Sequence, residues 1–484
     1  MIINIPENNL SQSVAKINSS NSAVISQSKN LTFSDLDLMS SQLQNYLISK
    51  GIKGDEKVLI FSDNSIEYIL HILALWKISA IPVLVNSKLE KEELQKTVEI
   101  AKAKFILTDK VTFDFPDNLK VLNGNETYYN TNLETQSDAT NLNSKIILFT
   151  SGSLGNPKGV LHTLGNIYNS VNNIDQIEHY KQNDTFLLSL PLYHIGGLMI
   201  FFRSWFAGAR VCIPQKLKTE ELIDEIKNQN ITILSLVPTQ LQKIVELRAS
   251  CPPELRSVYL GGAASDESVI IEAIKLGWKI KKVYGSSETC SMAAYFDVSN
   301  HKEKINSSGQ PLPNNQFFVF NNNKQLCRIN ETGEIGIRSN CLFKFYFPDG
   351  EYEVDKNESD TFLTGDLGFI DEQGFLFLQS RKKRIIISGG ENIDPSEVEL
   401  TINKLNGISD VFVFGRKDEE WGEILCAAIE SDYEFTLGEL KKELGGKIAR
   451  FKMPKEIRII KSFPRTELGK IKYEYLINLF QKNI

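Results

Sequence analysis

Apolar and polar positions alternate along the chain in a rhythm that changes character twice. From residue 57, KVLIFSD reads as a short buried strand, and Ile66, Ile69, Leu70 and Leu73 then recur at helical spacing before the strand IPVLV. A polar-faced helix, KEELQKTVEIAKA, leads to the strand FILTD. Strand–helix–strand repetition predicts a parallel sheet covered by helices. Residues 117–145 are rich in Asn and poor in apolar side chains, which predicts loops and short edge strands. The rhythm resumes with the strand KIILFT, a glycine-rich loop and a helix over 165–177. It continues through FLLSLP, GLMIFFRSWFAG, ARVCIP, EELIDEIKNQ, ITILSLVP, TQLQKIVEL, SVYLGG, SDESVIIEAIKLG and KIKKVYG. Two α/β sheet units account for this stretch.

Past Gly309 short strands with turn chemistry take over: FFVF, EIGIRS, and a hairpin whose turn runs from Asp371 to Gly374. They predict a small β layer. After the basic run RKKR at 381–384, a compact α+β pattern follows: PSEVELTINKL helical, VFVFG and ILCAAIE strands, LGELKKELGGKI helical, EIRII a strand. The expected architecture is α/β, with a large N-terminal domain over 1–382 and a small, mobile α+β C-terminal domain over 383–484.

Length and charge narrow the function. The 484 residues carry 54 Lys plus Arg against 60 Asp plus Glu, a formal charge of −6 that speaks against a broad nucleic-acid surface. The six cysteines form no C-x-x-C pair and there are only five histidines, which disfavours a zinc site or disulfide framework and fits a reducing cytosol. The opening MIINIPENNL lacks a signal-peptide pattern, and the apolar stretch 70–85 is broken by Lys77 and Pro82. These features predict a cytoplasmic enzyme of small molecules, without a membrane span, and leave a homo-oligomer open.

The strongest chemical signal is TSGSLGNPKG at 150–159, directly after KIILF. Small residues let backbone N–H groups approach an anion, hydroxyls add donors and Lys158 adds charge. Lys158 lies between Pro157 and Gly159, so this is not a Walker loop. A second cluster, Tyr284-Gly285-Ser286-Ser287-Glu288-Thr289, ends a strand, where open α/β sheets bind ligands. There Tyr284 could stack on a base, and Glu288 is a hard ligand suited to Mg²⁺ on a nucleotide. Gly262 and Ala263 end a neighbouring strand and could let a flat ring lie on bare backbone, or simply make a tight turn. His194, in PLYHIGG, could equally pack or cap. Asp366 and Arg381 could accept from and donate to ribose hydroxyls, or be a turn carboxylate and a surface cation. Lys470, in PRTELGK, has nothing local to distinguish it from a solvated lysine.

Taken in order, these motifs resemble the adenylate-forming superfamily of acyl-CoA synthetases, peptide-synthetase adenylation domains and luciferases, from LTFSDLD at residue 31 to Lys470. The resemblance implies that Thr150, Ser151, Gly152, Ser153, Gly155 and Lys158 embrace the β- and γ-phosphates of ATP. It implies that Gly262, Ala263 and Tyr284 hold adenine and that Gly285, Ser286 and Ser287 also belong to the nucleotide site. Glu288 would meet Mg²⁺, and Asp366 and Arg381 the ribose. Lys470 would be the catalytic lysine, with His194 a second catalytic candidate beside the acid pocket. Gly389 and Gly390 would line the path of the coenzyme A thiol, and Lys383 would be the hinge. Three positions depart from the family pattern: Leu154 for a threonine, Ser287 for a threonine and Ser380 for a glycine.

Within the superfamily, PLYHIGGLMIFFRSWFAGARVCIP, ITILSLVPTQLQKI and ISGGENIDPSEVE are similar to 2-succinylbenzoate–CoA ligases of menaquinone synthesis. The implied reaction joins a small carboxylic acid to coenzyme A through an acyl-adenylate, releasing AMP and pyrophosphate. A broader aryl or medium-chain acyl-CoA ligase is the alternative, and a nucleotide-binding regulatory protein without turnover is the reading from another class. Leu236 and Val237 suit an aromatic ring, while Arg203 is a candidate second anchor for a dicarboxylate, or a snorkelling surface arginine.

Overall fold

The computed structural model describes residues 9–27, 29–89, 91–124, 137–150, 158–216, 218–263, 265–347, 361–381, 386–388, 391–393, 395–418, 421–445, 447–448, 450–466 and 471–481. The chain divides into two compact units. One is Met1–Gln316 with Arg338–Phe362, and the other is Phe317–Ile337 with Leu363–Ile484.

The first unit holds two sheets. A seven-stranded sheet runs in the order Phe345–Phe347, Lys158–Thr163, Lys145–Thr150, Ile81–Leu84, Lys57–Phe61, Phe105–Thr108, Lys120–Asn123. Its central and far strands are parallel, with helices Ile66–Lys77 and Lys91–Ala101 as crossovers. The Val, Ile and Leu runs that mark these strands are buried on the sheet, with Leu59, Val83, Ile106, Ile147 and Leu161 in one core. The glycine-rich segment does not feed a helix directly. It joins Lys145–Thr150 to Lys158–Thr163 as an antiparallel hairpin, with Thr150 opposite Lys158. The strand KGVLHT is absent from the sequence-based expectation, because its glycine, lysine and histidine mask the apolar run.

The nine-stranded sheet is parallel through Ile280–Ser286, Ser257–Leu260, Ile233–Leu236, Thr185–Leu187, Arg210–Cys212 and Ser22–Ile25. Antiparallel strands close both sides: Ser291–Asp297 and Gln310–Pro311 at one, Asn30–Thr32 at the other. Ser291–Asp297 was also not expected. It turns the end of Ile280–Ser286 into the rising arm of a hairpin. Ser22–Ile25, close to the beginning of the chain, pairs with Arg210–Cys212 and so completes a sheet built mostly from residues far downstream.

In the second unit a four-stranded layer, Gln316–Phe320, Gly333–Arg338, Phe362–Ile370 and Leu376–Arg381, matches the expected β layer. Its hairpin turns at Asp371–Gly374 as read from the sequence, with Gly374 N–H donating to Asp371 O at 3.0 Å. This layer groups with the C-terminal residues, and the helix Pro395–Ile402 packs beside Leu376–Arg381. In the strand Asp410–Asp418, alternation sends Val411 and Val413 to one face, against Val398, Ile402, Leu440 and Leu444. Phe412 and Phe414 go to the other, against Leu476 and Phe480 of the helix Tyr473–Gln481. Among the described residues no helix is long and apolar enough to cross a membrane.

Candidate nucleotide and acid site

Residue parity on the hairpin arm organises the site. Gly159 and Leu161 face the core with Phe345 and Phe347, which pack on the same apolar cluster. Period-two alternation then puts Lys158, Val160, His162 and Tyr346 on the opposite face. Cross-strand register sets Tyr346 opposite Val160.

On that face two side chains, Tyr346 and His162, reach one turn, and Lys158 packs on the first of them. The Lys158 ammonium sits over the Tyr346 ring, 5.0 Å from its centroid. The Tyr346 hydroxyl donates to Glu288 Oε1 at 2.8 Å. His162 Nε2 lies 2.7 Å from Ser287 O and donates to it. The Phe343 N–H donates to Glu288 O at 2.9 Å, so backbone and side chain of Glu288 are both tied to the segment 343–346. Within the turn itself, Thr289 Oγ1 accepts from Ser286 N–H at 2.8 Å and donates to a carbonyl of Ser286 or Ser291. Gly285 sits at a bulge where a Cβ would stand 1.5 Å from Ser291 O, so only glycine fits.

His162 is fully buried, and burial pushes its pKa down to about 4 against the weaker opposing pull of the Ser287 carbonyl and Glu288. His71, also fully buried, is lowered to about 4 by desolvation. Both are neutral in the fold, so the unfolded chain takes up protons that the folded chain refuses between pH about 6.5 and 4. Stability is therefore complete above pH 6.5 and falls as pH drops toward 4, by about 3 kcal/mol per histidine. His162→Gln keeps a donor for Ser287 O and removes the titration, so its urea midpoint should fall less steeply from pH 7 to 4.5 than that of the parent. Identical slopes would contradict this assignment.

The adenine candidates also come together. Leu260 pairs with Lys282, and continuing that parallel register sets Gly262 level with Tyr284. Gly262, at φ +89°, and Ala263 are exposed beyond the strand end, and Tyr284 is half-buried. Val237 Cγ1 lies 3.6 Å from where a Gly262 Cβ would stand, which lines this edge with an apolar methyl. His194 is half-buried at the start of the helix Ile195–Phe206, its ring 4.7 Å from that of Tyr193. The following Gly197 is dictated by packing, since a Cβ there would meet Pro191 O at 2.1 Å. Arg203 does not snorkel. It is 1% exposed, donates to Ser291 Oγ at 3.2 Å and lies over the Tyr259 ring at 5.8 Å. Such burial keeps it beneath the surface that a substrate would touch.

In the second unit Asp366, 8% exposed, stands opposite Arg381 in the antiparallel register. The Asp366 N–H donates to Thr364 Oγ1 at 3.1 Å. Ser151, Gly152, Ser153, Leu154, Gly155, Lys383, Gly389, Gly390 and Lys470 lie outside the described residues, as do the side chains of Thr150, Ser380 and Arg381. Description resumes at Ile471, which bridges to Arg465, and Arg465 forms ion pairs with Asp410 at 2.5 Å and Glu430 at 3.2 Å.

Tyr346 and His162 were not identified from sequence. Nothing in FKFYF separates Tyr346 from its aromatic neighbours, and only strand pairing carries it to Glu288. Among the described residues no group of three or more His, Cys, Asp or Glu side chains stands together as a metal cage. Glu288 offers one carboxylate, and Tyr346 is the donor to its Oε1. A cation held there must take most of its ligands from phosphate oxygens and water, which suits Mg²⁺ and not a structural zinc.

Residues 11–347 match the AMP-binding enzyme family, and residues 397–470 match the AMP-binding enzyme C-terminal domain. The chain belongs to the AMP-binding enzyme family. Among curated relatives of this family, the 2-succinylbenzoate–CoA ligase of Bacillus pumilus is 31% identical over 462 residues, 93% of each chain. The o-succinylbenzoate coenzyme A synthetase of Bacillus subtilis, solved in complex with the acyl-adenylate intermediate OSB-AMP, superposes with a TM-score of 0.88 at 27% identity. That match covers 97% of this chain and 98% of that one. The same synthetase in complex with ATP and magnesium ion gives a TM-score of 0.89 at 27% identity, over 97% and 99% of the two chains. The family match and these superpositions bear out the adenylate-forming resemblance and the expected α/β architecture.

Proposed function

We propose that this family member is an AMP-forming acid–thiol ligase that joins 2-succinylbenzoate to coenzyme A in the cytoplasm, for menaquinone synthesis. The overall reaction is 2-succinylbenzoate plus ATP plus coenzyme A to 2-succinylbenzoyl-CoA, AMP and pyrophosphate. The observation that carries the nucleotide half of this reading is the chain of contacts from Lys158 to the Tyr346 ring and from the Tyr346 hydroxyl to Glu288. The acid is named from the relatives, whose likeness spans nearly the whole chain.

A carboxylate is a poor acyl donor because its leaving group would be oxide. Its oxygen attacks the α-phosphorus of ATP, pyrophosphate leaves, and the mixed anhydride is then opened by the coenzyme A thiol with AMP leaving. No general base is needed for the first step, since the acid is already ionised at neutral pH. The difficulty is bringing an anion to a polyanion, so positive charge must stand ready around the phosphates. In this reading Lys158 and the glycine-rich segment with Thr150, Ser151, Gly152, Ser153 and Gly155 hold the β- and γ-phosphates, and Glu288 ligates Mg²⁺. When bound, Mg²⁺ neutralises phosphate charge. Gly262, Ala263 and Tyr284 take the adenine, Asp366 and Arg381 the ribose, and His194 borders the acid. Lys470 delivers its ammonium for the first step. Residues 383–484 then turn about Lys383 so that Gly389 and Gly390 line the thiol's path.

A kinetic panel tests the acid. With ATP and coenzyme A, kcat/KM for 2-succinylbenzoate should exceed that for benzoate and for octanoate by about 100-fold. A clear preference for either monoacid would defeat the substrate assignment while leaving the adenylation chemistry intact.

A further inference from the structure

Asn64 follows the strand Lys57–Phe61 of the seven-stranded sheet, yet its side chain serves the nine-stranded one. The Asn64 Nδ2 donates to Leu190 O at 2.9 Å, and its Oδ1 accepts from the Leu192 N–H at 2.8 Å. One carboxamide, 126 and 128 positions away in the chain, thus grips the backbone on both sides of Pro191, just beyond the strand Thr185–Leu187. The neighbouring Ser65 accepts from the Tyr68 N–H and caps the helix Ile66–Lys77, so capping falls to Ser65 and not to Asn64. We propose that Asn64 is a positioning residue for acid recognition, a clamp that fixes the 190–194 segment, with His194, against the wall made by Val237. The proposal rests on the role given above to His194 as a border of the acid, and adds to it a residue on the other sheet.

The clamp reaches His194 by a short path. The His194 N–H donates to Pro191 O at 3.1 Å, closing a turn that starts at the gripped residue. The helix Ile195–Phe206 begins on the same backbone, since a Cβ at Gly197 would stand 2.1 Å from Pro191 O and 2.6 Å from Leu190 O. A shift of Leu190–Leu192 therefore carries His194 and the first turn of that helix with it. Leu192 is fully buried, where a backbone N–H without an acceptor is costly, and a carboxamide offers the donor and the acceptor that the two flanking peptide groups require. From the other side the segment is held by Gln240 of the helix Pro238–Glu246. Its Nε2 donates to Ser189 O at 3.2 Å, while its Oε1 accepts from the Val237 N–H at 3.1 Å. The Ser189 hydroxyl also donates to Ser235 O. Gln240 and Ser189 thus tie the segment to the strand end that carries Val237, and Asn64 ties it to the first sheet. The gap between His194 and Val237 is set by these two carboxamides, and the width of that gap selects the acid.

Acid discrimination by the full-length protein tests this, read as the ratio of kcat/KM for 2-succinylbenzoate to that for benzoate at saturating Mg·ATP and coenzyme A. Asn64→Ala removes both hydrogen bonds. It should lower kcat/KM for 2-succinylbenzoate about 100-fold and for benzoate about tenfold, so that discrimination falls about tenfold. Equilibrium titration with Mg·ATP should give the parent affinity, because the clamp acts on the acid side. Asn64→Asp keeps an acceptor for the Leu192 N–H and loses only the donation to Leu190 O. It should give up less discrimination than Asn64→Ala, and it carries the test if the alanine variant does not fold. An equal loss for both acids, or a fall in Mg·ATP affinity alongside the loss, would mean that Asn64 supports the fold alone and would overturn the proposal. Parent discrimination in both variants would overturn it too. His194→Ala separates the two levels. If it lowers discrimination and the Asn64 variants do not, only the clamp fails. If His194→Ala leaves discrimination at the parent value, the role of His194 beside the acid fails and the clamp with it.

Discussion

Lys470→Ala is expected to lower acyl-adenylate formation by roughly 100- to 1000-fold while a supplied acyl-adenylate is still converted to thioester at close to the parent rate. The two half-reactions make opposite demands on the same space. Adenylation needs a cation against a polyanion as charge shifts to pyrophosphate, and thioester formation needs that space open to a neutral or thiolate sulfur. A lysine ammonium suits the first demand and is irrelevant to the second. Arg465, close before Lys470, is paired with Asp410 and Glu430 and bridged to Ile471. ATP–pyrophosphate exchange measures the first half-reaction, and conversion of synthetic acyl-adenylate with coenzyme A the second. Equal losses in both would mean that Lys470 acts on the fold or on a shared intermediate, and the two-conformation scheme would go with it.

Gly285→Ala should be the most damaging single methyl in the molecule's nucleotide half. The added carbon would stand 1.5 Å from Ser291 O and 2.6 Å from its carbonyl carbon, both backbone atoms of the paired strand. No rotamer can relieve that clash, so the hairpin must open at its bulge, and Glu288 lies in the turn it closes. Overpacking of this kind costs about 1–3 kcal/mol. Displacing a catalytic ligand by about 1 Å costs on the order of 100-fold in rate. Gly365→Ala makes the natural control. Gly365, unlike Gly285, has positive φ, at +74°, and nothing lies within 4 Å of its Cβ position, so only the backbone penalty of about 1 kcal/mol remains. Urea midpoints and pyrophosphate exchange for both variants distinguish steric disruption from simple loss of glycine flexibility. Parent-like values for Gly285→Ala would refute the close approach of the two strands.

Much of the scaffold was legible because its signals are local. Buried parallel strands such as KVLIF and ILSL are continuous apolar runs, and Asp371 to Gly374 carries its own turn chemistry. The antiparallel returns were not legible. KGVLHT and SMAAYFD each fold back on a preceding strand, and their mixed composition resembles a loop until the partner strand is known. The site divides the same way. Lys158, Gly262, Tyr284 and Glu288 sit in motifs whose residue types advertise contact with phosphate, base or metal. His162 and Tyr346 act on Ser287 and Glu288, which lie 125 and 58 positions away in the chain. No window of sequence contains that relation, and an imidazole with a pKa near 4 looks like any other histidine until its burial is seen. Arg203 shows the converse: a charge on an apolar helix reads as a surface or substrate group, and packing instead seals it under Ser291.

The pairing of Ser22–Ile25 with Arg210–Cys212 sets a timetable for the ribosome. Val24 meets Val211, so the earliest strand of the nine-stranded sheet waits for almost two hundred more residues to be translated. At ordinary elongation speeds that wait is about ten to forty seconds. Throughout it, Ser22–Ile25 has only the short return Asn30–Thr32 beside it and offers its other edge to any extended neighbour. Nascent chains of this enzyme are therefore most in need of a chaperone before the midpoint of synthesis, and least once residue 212 has cleared the exit tunnel.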